Sequence, residues 1–170
     1  TLNTMRKPTI ARVHGAAYGG GVGLIAACDI AVGTTEAMFG LTEVRLGIIP
    51  AVISPYVVAA IGERHARRYF LTGERFNAAE AYRIGLLNEL APDEETLDQT
   101  IAAIIEAILQ SGPAAVMEAK DLISAVAWRP VNDSLIADTA ERIARVRASK
   151  EGKEGLDAFL NKRKPNWLKK

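Results

Sequence analysis

The spacing of apolar and polar positions divides the chain into an extended, glycine-punctuated first part and a helical remainder. After Lys7-Pro8, the run Thr9 to His14 has the β-branched bias of a strand, predicted to end at Gly15. Ala16-Ala17-Tyr18 then leads into four glycines within five residues, Gly19, Gly20, Gly21 and Gly23. Val22, Leu24, Ile25, Ala26 and Ala27 predict a short buried helix, Asp29 to Gly33 a second strand, and Ala37 to Gly40 a third extended piece. Strand, tight turn, helix and strand make a βαβ-like start.

From Ile53 the period becomes helical. One helix is expected to stop at Gly62, and a second, Glu63 to Leu71, before Thr72-Gly73. Asn77 is placed to cap a third helix that ends at Gly85, with Leu86 to Leu90 as a short strand. Asp93 to Leu109 carries Leu97, Ile101, Ile104, Ile105 and Ile108 at helical spacing, and Gly112-Pro113 breaks it. Further helices are expected over Ala114 to Ala127, Asp133 to Ala148 and Glu151 to Asn161, followed by a basic tail.

Composition narrows the chemistry. Hydrophobic residues make up 49% and charged residues 24% of 170, enough to bury a core. A net charge of +1 gives no global electrostatic case for nucleic acid. The single cysteine, Cys28, lies in an apolar run and excludes an intramolecular disulfide; with only two histidines, His14 and His65, a metal cluster is not expected. Asp29 and Glu36 interrupt the most hydrophobic region, so no membrane span is expected. No leader is visible, and a cytoplasmic location is expected. The extended run begins soon after Thr1, as in an excerpt of a longer protein.

The glycine cluster is the densest chemical signal. Glycines let the backbone take positive φ and approach a ligand, and the amides opening a helix lack intrahelical acceptors. Such amides hold anions or a developing oxyanion, although a tight packed turn has the same composition. Gly21 to Ala26 also matches G-x-G-x-x-A, with Glu43 20 residues beyond Gly23. That is a weak dinucleotide fingerprint, because the helix before Asp29 is too short for the crossover. Glu43 alone reads equally as a solvated acid or a partner of Arg45.

Read in order, His14 to Leu24 through Cys28-Asp29-Ile30, then Phe39 to Pro50, Leu71 to Phe76 with Ala78 to Ala81, Gly85-Leu86-Leu87, and Glu151-Gly152 with Ala158 to Lys164, resemble the enoyl-CoA hydratase/isomerase (crotonase) superfamily. The match covers nearly the whole chain. It implies an α/β fold: a crotonase-like spiral of ββα units over residues 1–110, followed by a helical oligomerisation region over 111–170. It implies an acyl-CoA thioester as substrate, with no cofactor apart from the coenzyme A that the substrate carries. It also implies homotrimers or hexamers, and neither nucleic acid nor membrane as partner.

The site residues follow from the resemblance. The Gly20 amide corresponds to one donor of the oxyanion hole, whose partner comes from an upstream segment that the chain lacks. Such a donor is worth about 3–4 kcal/mol to a transition state. Of the two glutamates typical of family hydratases, the second maps to Glu43 and the first to Gly23, which has no side chain. Phe39, Leu41, Leu46, Ile48 and Ile49 are candidates to line the pocket around Glu43, or core. Ala51 matches a position whose N–H helps hold the water. Tyr18, Gly19 and Gly20 correspond to substrate contacts, and Phe159 and Lys162 to CoA contacts of a neighbouring subunit. No metal is implied. The segment Ala51-Val52-Ile53-Ser54-Pro55-Tyr56, where many relatives are glycine-rich, resembles the bacterial methylglutaconyl-CoA hydratase-like subgroup, associated with breakdown of leucine and related acyl chains. Enoyl-CoA hydratase is therefore the expected function. Δ3,Δ2-enoyl-CoA isomerase and a non-catalytic acyl-CoA-binding protein are the alternatives.

Overall fold

A computed structural model describes residues 1–168. The chain forms two compact units. The first takes Thr1–Met5 and Thr9–Ala103, and the second takes Arg6–Pro8 and the chain from Ile104 onward.

The first unit contains two small sheets. In one, β1 (Ile10–Val13) pairs in parallel with β3 (Ile30–Thr34), and β3 with β6 (Glu89–Ala91). In the other, β2 (Ala16–Tyr18) pairs in parallel with β4 (Met38–Gly40), which pairs antiparallel with β5 (Arg75–Asn77). Consecutive strands β1 and β2 therefore belong to different sheets. The corner between them is Gly15, whose φ of 74° suits only glycine without strain, and its carbonyl accepts from the Met38 amide. The helix α1 (Gly20–Ala26) then returns the chain to β3, and β4 repeats the corner. This is a turn of the expected ββα spiral.

The strands β2 and β5 carry no legible period because each has three residues. Pairing with β4 makes them strands. The strand expected over Leu86 to Leu90 is shifted, because Leu86 and Leu87 turn back to hydrogen-bond the Ala81 carbonyl, leaving Glu89–Ala91 to pair.

The core gathers Val22, Phe39, Leu41, Val57 and Tyr69, all essentially inaccessible. The Phe39 and Phe76 rings stack at 5.7 Å, and Tyr69 closes on Phe76 at 4.3 Å. Tyr69 stands on α2 (Ser54–Thr72), which is broken at Gly62 (φ 74°, ψ 158°), where the sequence predicts one helix to end and the next to begin. The α3 helix (Ala78–Arg83) is capped by Asn77, whose side chain accepts from the Glu80 amide at 3.0 Å. The α4 helix (Glu94–Leu109) is capped similarly by Asp93 through the Thr96 amide at 2.7 Å.

In the second unit, α5 (Pro113–Val126), α6 (Asp133–Ala148) and α7 (Lys150–Leu160) form a bundle. Arg145 binds Glu118, and Arg142 binds Asp121, from α6 to α5. Glu151 of α7 accepts from the Ala114 and Ala115 amides, a carboxylate seated where the N-terminal donors of α5 need one. Among the described residues no single helix is long and apolar enough to cross a membrane.

Candidate active site

The glycine turn is fixed from behind. Tyr18 ends β2, and Gly19 takes φ 50° and ψ −116° while its amide donates to the Gly40 carbonyl at 2.9 Å. Only Gly19 of the cluster has a positive φ; Gly20, Gly21 and Gly23 are the early residues of α1, so the helix starts two residues before Val22, where the apolar pattern begins. The Gly20 amide opens that helix and has no intrahelical acceptor. Gly20 is exposed, and a Cβ built on it would meet nothing within 4 Å.

Glu43 reaches the same turn from β4. Phe39 and Leu41 are fully buried and anchor the chain on either side of Gly40. Glu43 then starts a single 3-10 turn (Glu43–Leu46) that ends at left-handed Gly47 (φ 73°). Its carboxylate lies beside Gly19: a Cβ there would stand 3.1 Å from Glu43 Oε1 and 3.6 Å from Cδ. Glycine at 19 thus serves twice, supplying the positive φ and leaving room for the carboxylate. Glu43 Oε2 is buried with no hydrogen-bond partner among the described residues. A buried carboxylate oxygen without a donor is costly, and such groups concentrate where a ligand or water supplies the partner. Arg45, the alternative partner, instead runs along Gly73, with Cγ and Nε 3.1 Å from that residue's Cβ position.

Position 23 has no space for a side chain. A Cβ on buried Gly23 would lie 2.1 Å from Ile53 Cγ2 and 2.5 Å from Ile53 Cβ. An isoleucine therefore stands where any side chain at 23 would begin. Ile53, Gly20, Gly23, Leu24, Ala27, Val52 and Tyr56 line a cleft of 230 Å3 together with Leu2 and the polar Thr1 and Asn3. The departure after Pro50 is visible in the sequence, whereas the seating of the Ile53 side chain against Gly23 is visible only in the fold.

The remaining candidates are spread more widely. The Ala51 amide donates to the Ile49 carbonyl at 2.8 Å. Tyr18 is partly exposed, and its ring carries the Arg75 guanidinium 4.9 Å from the centroid, an arginine that the sequence did not single out. Of the apolar residues proposed around Glu43, Phe39 and Leu41 are core, whereas Leu46, Ile48 and Ile49 are more than half exposed. Phe39 and Leu41 thus take the core alternative, and the turn after Glu43 presents its own side chains to the surface. Phe159 and Lys162 belong to the second unit. Phe159 is 81% exposed on α7, and Lys162 follows it with a left-handed φ of 51°.

One strongly shifted carboxylate lies outside this site. Glu80 is held down to about 2 by Arg83 first and the Tyr69 hydroxyl second. Burial, reinforced by Glu80, pushes the Tyr69 phenol up to about 12. Together they brace α3 against α2.

The model of the enoyl-CoA hydratase/isomerase family matches residues 1–170. An enoyl-CoA hydratase from Shewanella pealeana is 45% identical, with a TM-score of 0.92 over 98% of this chain and 62% of its own. An enoyl-CoA hydratase/isomerase from Marinobacter aquaeolei is 38% identical, with a TM-score of 0.90 over 98% of this chain and 62% of its own. A crotonyl-CoA hydratase from Syntrophomonas wolfei is 35% identical over 99% of this chain and 65% of its own. The chain thus spans less than two thirds of the length of these relatives.

Proposed function

The chain belongs to the enoyl-CoA hydratase/isomerase family, and from that premise we propose that it adds water across the double bond of a 2-enoyl-CoA thioester. The observation that carries this reading is the buried Glu43 Oε2, lacking a donor and standing beside the turn that presents the Gly20 amide. The thioester carbonyl accepts from Gly20 N–H, which stabilises negative charge as it develops on oxygen. Water donates to Glu43, which takes its proton as the hydroxyl adds to C3. The electron pair of the double bond moves to the thioester oxygen as an enolate. The proton on Glu43 then passes to C2, the enolate collapses, and the carboxylate is regenerated. One carboxylate closes the cycle, consistent with Gly23 and Ile53 leaving no place for a second.

The apolar cleft lining and the resemblance to methylglutaconyl-CoA hydratases favour a branched enoyl chain, of the kind met in leucine breakdown. Leu24, Ala27, Val52 and Ile53 suit a hydrocarbon branch, so branched thioesters with and without a second carboxylate are the first substrates to test. We further propose that the helical region supports self-association as a trimer or hexamer, which agrees with the exposed Ile123, Ile136, Ile143 and Phe159. Phe159 and Lys162 would then meet the CoA of a neighbouring subunit.

The single carboxylate also favours a second reading, Δ3,Δ2-isomerisation, in which Glu43 moves a proton between C2 and C4. The test uses full-length protein, a panel of 2- and 3-enoyl-CoA thioesters and heavy-oxygen water. Hydration consumes the conjugated thioester absorbance and installs solvent oxygen; isomerisation generates that absorbance without oxygen. Glu43→Gln is expected to lower kcat/KM by about 10²–10⁴-fold. Wild-type turnover by that variant would remove Glu43 from the mechanism.

A further inference from the structure

The exchange at positions 23 and 53 has a consequence for substrate choice. We infer that Ile53 is a specificity-determining residue that limits the length of the acyl chain; this rests on the acyl-CoA reading above. Three observations carry it. Ile53 Cγ2 lies 2.1 Å from where a side chain at 23 would start, so the isoleucine occupies the volume that any side chain at 23 would need. Ile53 is half-buried and packs against the core of the first unit, so the group is held in place rather than swinging in solvent. Ile53 and Gly20 also line one cleft, so an acyl chain that entered it from the Gly20 side would meet Ile53.

The dimensions agree. A cleft of 230 Å3 lies below the about 300–1,000 Å3 of sites that enclose drug-sized ligands. Beside Gly23 it is lined by one β-branched side chain, whose rotamers are few. Gly23, Leu24, Ala27, Val52 and Tyr56 line the cleft with Ile53. Gly23 has no side chain to yield and Ala27 is buried, so on that side Ile53 has no space into which to retreat. The chemical class selected is a short acyl chain, with branching at the carbons near the thioester rather than extension beyond them.

The test measures binding and turnover separately. Dissociation constants of butyryl-CoA and decanoyl-CoA, which do not react, are measured for wild-type protein and for Ile53→Ala, Ile53→Val and the double variant Gly23→Ala with Ile53→Ala. One methylene in a hydrophobic pocket discriminates by about 10–200-fold. Ile53→Ala is therefore expected to shift the decanoyl-to-butyryl affinity ratio at least fivefold towards the longer chain, with a smaller shift for Ile53→Val. The double variant restores a methyl from the opposite side and is expected to return part of the preference. The kcat/KM ratio for the matching 2-enoyl thioesters is expected to move the same way. A merely structural role would lower both affinities together and leave the ratio unchanged; a shift below fivefold in folded Ile53→Ala overturns the inference. Because the binding probes are saturated, this result stands apart from whether the protein hydrates, isomerises or only binds.

Discussion

Gly19, Gly23 and Glu43 show how side-chain deletions can build a site. At 19 the missing Cβ admits a carboxylate, and at 23 it admits an isoleucine. The second case is open to a direct stability test. A methyl added to Gly23 meets Ile53 Cγ2 at 2.1 Å, overpacking of a kind that costs about 1–3 kcal/mol. Gly23→Ala is expected to lower the denaturant midpoint accordingly. Adding Ile53→Ala should recover much of the loss, giving a strongly non-additive cycle. Additive effects would mean that the two residues are not in contact. Gly20 and Glu43 were legible in the sequence through the resemblance, because backbone amides and motif order travel with the chain. The Ile53 contact was not, because a sequence shows that a side chain is missing but not which neighbour fills its space.

Helices were read from the sequence more reliably than strands, for a physical reason. A helix of 16 residues such as α4 or α6 repeats its apolar positions several times, whereas a three-residue strand repeats none. Gly62 was legible as a boundary because only glycine takes its φ of 74° easily, and Asn77 because its side chain supplies a cap. Asn77→Ala is expected to cost about 1 kcal/mol, measurable by chemical denaturation. Phe39→Ala removes the β4 anchor between the glycine turn and Glu43, and is expected to cost about 3–5 kcal/mol. The Glu80 ion pair gives α3 a pH signature. Its folded value near 2 lies below its ordinary 4.5, so its stabilisation is present above about pH 4.5 and is lost as pH falls towards 2. The stability difference between wild type and Glu80→Gln should shrink over that interval; a constant difference would show that Glu80 is not held down.

At the scale of the molecule, the sequence pattern separated an α/β part from a helical part, and the chain forms two compact units whose boundary falls within α4, between Ala103 and Ile104. The pairing of β1 with β3 and β2 with β4 was beyond the pattern, since nothing local tells a short strand which of two sheets it joins. That pairing brings the catalytic candidates together. It sets the end of β2 beside the end of β4, so that Gly19 bonds Gly40 and Glu43 emerges next to the turn.

The measurement that bears most directly on this arrangement is a crystal structure of the full-length protein with an unreactive acyl-CoA bound. The thioester oxygen is expected about 3 Å from the Gly20 nitrogen, with C2 and C3 facing the Glu43 carboxylate. A thioester bound with its carbonyl turned away from Gly20, or with its reacting carbons out of reach of Glu43, would contradict the account.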